Sequence, residues 1–282
     1  MNDVTEVMQV AAAVLVTSGI EELEKKMLGM EQVPCDVVHH LHPGIYIREV
    51  TLRAGTYAVG HYQKHRHTNI MLTGRVVMSR LDGSTSELVA PLMFVGEPGR
   101  KAGYIVEDTV WQNVYPNPTN ETDIPTLEAM FVDKSEYWKG HTHTAELPND
   151  DDFASVLTEF GYTQNDVDSQ VADTSDQIPM PLGTWSFTTG ASGIHGIGVF
   201  ATTGVIPGQV IGPARLNSMR TPLGRYVNHS KTPNAKMILV GGDVYLVATL
   251  PIDGCKGGQN GDEITVEYRQ VLRDIHQLEG VI

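Results

Sequence analysis

Three stretches near the end of the chain decide how it is read: Gly193-Ile-His-Gly-Ile-Gly-Val-Phe-Ala201, Arg225-Tyr-Val-Asn-His-Ser-Lys-Thr-Pro-Asn234 and Gly261-Asp-Glu-Ile-Thr-Val-Glu-Tyr268. Taken locally, the first is a glycine turn feeding an apolar strand; without a Cβ, Gly196 and Gly198 let other groups approach the backbone closely. The second reads as an Asn-His-Ser turn stopped by Pro233-Asn234. The third reads as a short strand that ends on Tyr268. Their order and spacing carry more information than any one of them alone.

Working outward, 282 residues are enough for two domains with separate cores. A composition of 41% hydrophobic and 19% charged residues is that of a soluble globular chain, and 28 Gly with 15 Pro imply many turns between short strands. A formal charge of −14 argues against nonspecific nucleic-acid binding, which needs a basic surface. The acidity sits in the first half and the linker, because no Lys or Arg occurs between Lys139 and Arg215. Cys35 and Cys255 lie far apart without a partner motif, which excludes a disulfide framework and a cysteine zinc cluster and fits a reducing compartment. The longest apolar run, Val10 to Val16, is far short of the roughly 20 residues a membrane helix needs. Asp3 and Glu6, with no early Lys or Arg, argue against a signal peptide.

Four segments are expected along the chain: a helical segment (1–34), a β-barrel (35–140), an acidic helical linker (141–182) and a C-terminal β domain (183–282). Val7, Val10, Ala11, Val14 and Leu15 recur at helical spacing, and Gly19 separates two helices; this segment is expected to pack on its own domain or on a neighbouring subunit, with a partner-binding tail as the alternative. From Pro43 the period becomes two, with strands expected at 45–52, 69–79, 87–95, 104–114 and 127–132 and a hairpin turn at Leu81-Asp-Gly-Ser84. Many short strands with Gly/Pro turns point to a sandwich or jelly roll. Asn149-Asp-Asp-Asp152 offers capping chemistry ahead of a helix at Phe153–Phe160, Gly161 ends it, and a second helix follows at Thr163–Val171. Ile178-Pro-Met-Pro-Leu182 is an extended, proline-stiffened entry into the last domain.

Within the barrel, Gly60-His-Tyr-Gln-Lys-His-Arg-His67 with Leu72-Thr-Gly74 resembles the first motif of the cupins, and Gly103 to Pro116 resembles the second. The resemblance implies a jelly roll and makes His65 and His67 candidate metal ligands, as i and i+2 share one face of a strand. The carboxylate and third histidine of the cupin pattern are missing: Met71 and Leu72 stand near the one, Tyr104 or Val106 at the other. Two imidazoles make a weak site, since divalent metals take three or more protein ligands, so a metal-free jelly roll is expected. His61 is a third possible ligand. His141-Thr-His143 reads as an exposed loop.

The three opening stretches together resemble a SET domain, the fold of most protein-lysine methyltransferases, over about residues 183–269. The resemblance implies S-adenosyl-L-methionine as cofactor, held by Gly196, Gly198, Arg225, Asn228 and His229. It places Tyr268 at the catalytic tyrosine, with Tyr245 as a second channel-lining candidate. Val266 stands where many members carry an aromatic, the insert at Gly212–Gly224 is short, and Val271–Leu278 reads as a closing helix.

The fold class expected is therefore mainly β: an N-terminal cupin-like jelly roll plus a C-terminal SET-like β fold, joined by a short helical linker and preceded by a helix. Three functions are open. The first is methyl transfer to a protein lysine, with the cupin-like domain recruiting substrate or building a homo-oligomer. The second follows from a similarity to cupin–SET proteins encoded by bacteriophages: a non-catalytic structural or assembly protein whose partners are phage structural proteins. The third is a metal-dependent cupin enzyme. These imply the host cytoplasm, or the virion for a structural protein, and neither membrane nor direct nucleic-acid binding.

Overall fold

The computed structural model describes residues 2–139 and 152–279. The chain is mainly β and divides into two compact units: residues 1–143 with 182–184 and 255–259, and residues 144–181 with 185–254 and 260–282. Among the described residues no helix is long and apolar enough to cross a membrane.

The first unit opens with α1 (Asn2–Leu28), broken at Gly19, whose φ of 82° is left-handed and separates two helical pieces. Ala11, Leu15 and Leu23 of α1 are buried with Ala102, against Tyr57 and Val59, so the helix packs on its own unit. The buried Glu24 carboxylate pairs with the Arg100 guanidinium, with Nη1 to Oε2 at 3.0 Å. The strands are β1 (Val37–His42), β2 (Gly44–Leu52), β3 (Tyr57–Val59), β4 (Tyr62–Gln63), β5 (His67–Ser79), β6 (Thr85–Val89), β7 (Leu92–Gly96), β8 (Ala102–Asn117), β9 (Val132–Asp133) and β10 (Gly183–Trp185). Eight of them form one sheet in the order β10-β1-β2-β8-β5-β6, with β3 on β8 and β7 on β5; β4 and β9 pair separately. The long β8 is antiparallel to β2, β3 and β5, so strands distant in sequence become neighbours, as in Greek-key folds. His39, Arg48, Asn113 and Asn69 lie in one cross-strand row. Leu41, Tyr46, Val76 and Met71 are buried in the same sheet.

The strand expected at 127–132 is instead helix α2 (Ile124–Phe131). The Asp123 carboxylate accepts from the Thr126 N–H at 3.0 Å, Pro125 sits in the first turn, and Ile124, Leu127 and Phe131 are buried on one face. A short apolar run fits either element; the cap decides it. Helix α3 (Glu136–Lys139) follows. Cys35 and Cys255, remote in sequence, both belong to this unit, and the Cys35 N–H donates to the Cys255 carbonyl at 2.8 Å.

The second unit begins with α4 (Phe153–Phe160) and α5 (Gln164–Ala172). Gly161 closes α4 in the left-handed region, and Thr163 with Asp166 forms a capping box on α5. The start of α4 differs from expectation: Asp152 occupies the N-cap without a side-chain cap bond, because its carboxylate is engaged elsewhere. Asn149, Asp150 and Asp151 lie outside the described residues. Next come β11 (Phe187–Ala191), β12 (Ile197–Ala201), β13 (Val210–Leu216), β14 (Met219–Arg220), α6 (Pro222–Tyr226), β15 (Asn228–His229), β16 (Ala235–Val240), β17 (Asp243–Ala248), β18 (Glu263–Val266) and α7 (Tyr268–Glu279). Two four-stranded sheets result, β11-β12-β18-β15 and β14-β13-β17-β16. Their shared core includes Phe187, Val199, Leu223, Leu246, Ile252, Ile264 and Val266. Burying these side chains stabilises the unit by roughly 1.5–3 kcal/mol each.

Candidate functional site

The three stretches read first from the sequence meet on the sheet β11-β12-β18-β15. Strand β18 lies between them. On one side it is antiparallel to β12, with Val199 opposite Ile264. On the other it is parallel to β15, with Asn228 opposite Thr265 and His229 opposite Val266. The Asn234 side chain clamps the same strand: its Nδ2 donates to the Glu263 carbonyl at 2.8 Å and its Oδ1 accepts from the Thr265 N–H at 2.9 Å. The segment 228–234 therefore wraps β18, and the Pro-Asn stop is part of the wrap.

Asn228 ties that segment to the glycine loop. Its buried Nδ2 lies 2.8 Å from Glu263 Oε1, 3.0 Å from Ser192 Oγ, 3.1 Å from the His195 carbonyl and 3.2 Å from the Ile197 carbonyl. Two hydrogens serve four acceptors, so the bonds are shared. The Ser192 hydroxyl donates to Glu263 at 2.8 Å and accepts from the Ile194 N–H at 2.9 Å. Glu263 is buried, which is tolerable for a carboxylate only because these donors surround it. Gly198 makes room for it: a Cβ there would stand 2.4 Å from Glu263 Oε1. Gly196 has a different role. Its φ of 54° turns the loop, and nothing lies within 4 Å of where a Cβ would be. Ile194 and Ile197 beside it are exposed.

Tyr268 closes the other side. Its phenol donates to the Val227 carbonyl at 2.9 Å, next to Asn228. Burial of the ring, then the Glu263 carboxylate, push the phenol up to about 12, so it is neutral at physiological pH. The Tyr268 N–H donates to His229 Nδ1 at 3.2 Å. Nδ1 as acceptor leaves the proton on Nε2, which donates to Asp152 Oδ1 at 2.7 Å. Arg269 Nη1 binds Asp152 Oδ2 at 2.7 Å, and its Nε binds Glu159 of α4 at 2.7 Å. The His229 hydrogen bond and then Arg269 hold the Asp152 carboxyl below its usual range. Phe153 meets the Tyr268 ring edge-on at 5.9 Å.

Gly196, Gly198, Asn228, His229 and Tyr268 are thus brought together. Arg225 is not part of this cluster: its guanidinium donates to the carbonyls of Val171 and Asp173, the latter at 2.9 Å, at the end of α5. Tyr245 lies on β17 in the other sheet, opposite Pro213 and Ile238. The sequence motifs assign no part in the site to Ser192, Asp152, Phe153, Arg269 or Glu263. The sequence signal for Glu263 is a charged residue at the head of a strand whose other members, Ile264, Thr265 and Val266, are uncharged.

In the first unit the two candidate metal ligands differ in placement. His67 is buried at the start of β5, its Nδ1–H donating to the His65 carbonyl at 2.9 Å, and it lines a cleft of about 460 Å³ with Arg66, Tyr115 and Val95. His65 lies outside any strand and is exposed, so the shared-face argument for the pair does not hold. Burial pushes His61 down to about 4, and its ring meets Trp138 edge-on at 4.9 Å. Among the described residues no three His, Cys, Asp or Glu side chains are grouped to hold a metal ion. His141 and His143 lie outside the described residues.

No family model matches this chain, and no curated protein matches it either. Solved structures do resemble parts of it. A Plasmodium falciparum protein provisionally named a histone methyltransferase aligns over 30% of this chain and 93% of its own, at 20% identity and a TM-score of 0.25. A RmlC-like cupin family protein from Methanocaldococcus jannaschii aligns over 32% and 88%, at 16% identity and a TM-score of 0.26. The ectoine synthase of P. lautus aligns over 32% and 68%, at 15% identity and a TM-score of 0.27. Each likeness is confined to a part of this chain.

Proposed function

We propose that the C-terminal unit binds S-adenosyl-L-methionine and transfers its methyl group to a protein lysine, while the N-terminal unit recruits the substrate or builds a homo-oligomer. One observation carries this reading: the glycine loop, the Asn228-His229 segment and Tyr268 converge around β18, the convergence that the SET-like sequence pattern requires. The residues present fit the cofactor. The loop at Gly196 is open and flanked by exposed apolar side chains, suited to an extended ligand with apolar parts. The buried Glu263 carboxyl behind that loop holds the loop in shape through Ser192 and Asn228.

The cofactor supplies a methyl group on a positively charged sulfur. The chain's own residues position and desolvate. Asn228 fixes the loop through the His195 and Ile197 carbonyls. A lysine amine, with a free pKa of about 10.4, must arrive neutral, and a dry environment favours that form. The Tyr268 O–H donates a hydrogen bond to the Val227 carbonyl, and its oxygen keeps lone pairs that can accept from an incoming amine N–H. In-line transfer then depends chiefly on alignment.

The test is calorimetric titration of the full chain with S-adenosylmethionine and S-adenosylhomocysteine, together with transfer of a labelled methyl group to lysine-containing peptides. Saturable binding and label on lysine support the reading; a flat titration opposes it. One observation favours a second, non-catalytic reading: the Asn228 amide and the Tyr268 hydroxyl already have partners inside the protein; the bacteriophage assembly role implied by the sequence resemblance is one function of that kind. Stoichiometric copies in a particle with no cofactor binding would support that reading instead.

A further inference from the structure

We propose that Cys35 and Cys255 are a disulfide-forming pair, closed as a cross-strand bond when a low-molecular-weight disulfide is available as oxidant. Strand register brings the two together. Pro34 and Lys256 form an isolated antiparallel bridge. Its hydrogen bonds run from the Cys35 N–H to the Cys255 carbonyl at 2.8 Å and from the Gly257 N–H to the Val33 carbonyl at 2.7 Å. That pattern sets Cys35 directly opposite Cys255. Opposed residues of an antiparallel pair project to the same face, with Cα atoms about 5.5 Å apart when they are hydrogen-bonded. A disulfide takes Cα separations of about 4.4–6.8 Å, a range that includes this spacing, and closing the bond draws the two Cβ atoms in to about 3.5–4.5 Å. Neither cysteine is in a disulfide here.

The surroundings hold the two segments in this register. Gly257 is left-handed, with φ of 56°, and a Cβ there would stand 2.0 Å from Gln32 Oε1. Gln32 in turn donates to the carbonyls of Met27 and Met30, each at 2.8 Å. Residues 255–259 thus lie close against the segment that precedes β1.

Cys255 is buried and Cys35 half-buried, which assigns the order of events. The Cys35 thiolate attacks the oxidant disulfide, forming a mixed disulfide and releasing one thiol. The Cys255 thiolate then attacks the Cys35 sulfur, releasing the second thiol and closing the bond. Two protein thiols and one small disulfide become one protein disulfide and two small thiols, with two protons and two electrons accounted for. Burial raises the Cys35 thiol above its ordinary pKa, against the pull of Arg48, so the first step is slow at neutral pH and accelerates as the medium becomes alkaline.

The experiment uses the full chain, purified in reductant, mixed as equal parts ¹⁵N-labelled and unlabelled protein, and exposed to oxidised glutathione at alkaline pH. After alkylation and tryptic digestion, mass spectrometry reads the cysteine peptides, residues 27–48 and 237–256. The expected product is that pair linked within one chain, with both halves carrying the same label, and separated by dithiothreitol. Cys255→Ser stops at a glutathione adduct on Cys35. Full alkylation of both cysteines after oxidation, or linked peptides of which about half carry mixed label, the random pattern of bonds between chains, overturns the proposal.

Discussion

Replacing Gly198 with alanine tests the centre of the C-terminal unit. Gly198 sits in β12 opposite Gly190, and its backbone is not left-handed, so alanine carries no conformational strain there. The cost is steric. The new methyl would stand 2.4 Å from Glu263 Oε1, 2.7 Å from its Cδ and 3.0 Å from Ser192 Cβ. The carboxylate must move, and moving it breaks its bonds from Asn228 at 2.8 Å and from Ser192 at 2.8 Å. Hydrogen bonds to a charged group contribute about 1.5–3 kcal/mol each, and overpacking alone costs about 1–3 kcal/mol. Some of this is regained through water, leaving a net loss of about 2–4 kcal/mol.

Gly196→Ala is the control. Nothing lies within 4 Å of its Cβ position, but its φ is 54°, so the cost is conformational, about 1 kcal/mol. Urea unfolding followed by far-ultraviolet circular dichroism should rank Gly198→Ala as clearly worse. Adding Glu263→Ala removes the obstructing group, so Gly198→Ala should cost little on that background, a coupling of about 2 kcal/mol. Equal effects at the two glycines, or strict additivity in the double variant, would refute the packing argument.

Tyr268→Phe removes the hydrogen bond to Val227 and should cost about 1 kcal/mol of stability. Under the methyltransferase reading it also lowers transfer about tenfold or more while cofactor affinity, read by calorimetry, stays within about twofold. Asp152 has its folded pKa depressed by His229 and Arg269, so its contribution is present above the unfolded value of about 3.9 and is lost as pH falls through the lower folded value. Asp152→Asn removes that dependence, and the gap between its urea midpoint and that of the wild type should narrow as pH is lowered from about 6 to about 3. Glu128 is held down to about 2, where burial, which would raise it, is outweighed by Arg48 and Lys134. Its contribution is therefore present above the unfolded value of about 4.3 and is lost as pH falls from there to about 2, and Glu128→Gln, which leaves Arg48 without its carboxylate, should cost about 1–3 kcal/mol at neutral pH, read from the same unfolding curves.

The period-two alternation after Pro43 predicts a sheet because it depends only on which neighbours share a face, a property the chain carries locally. Leu127–Val132 shows the limit of that signal. Its apolar residues suit a strand or a helix, and the deciding feature, Asp123 capping Thr126 ahead of Pro125, lies just outside the run. The site was legible to the extent that its three stretches could be named, but not in its chemistry. That Glu263 sits behind Gly198, or that Cys35 faces Cys255, follows from strand register between segments far apart, which alternation within either segment does not specify.

Asp152 is the sharper case, because there two local rules claim one side chain. An aspartate before Phe153 reads as a helix cap, and α4 does begin at that point. Yet the carboxylate is engaged by His229 Nε2 and Arg269 Nη1, each at 2.7 Å, and makes no cap bond. With the same carboxylate, a guanidinium brings a full positive charge where a backbone N–H brings only a partial charge, so where both are in reach the guanidinium wins. The sequence states the capping rule in full. It does not state that Arg269, far along the chain, will arrive beside the cap. A residue with a sound local role is therefore open to recruitment by a distant charge, and at Asp152 that recruitment joins α4 to the start of α7 beside Tyr268.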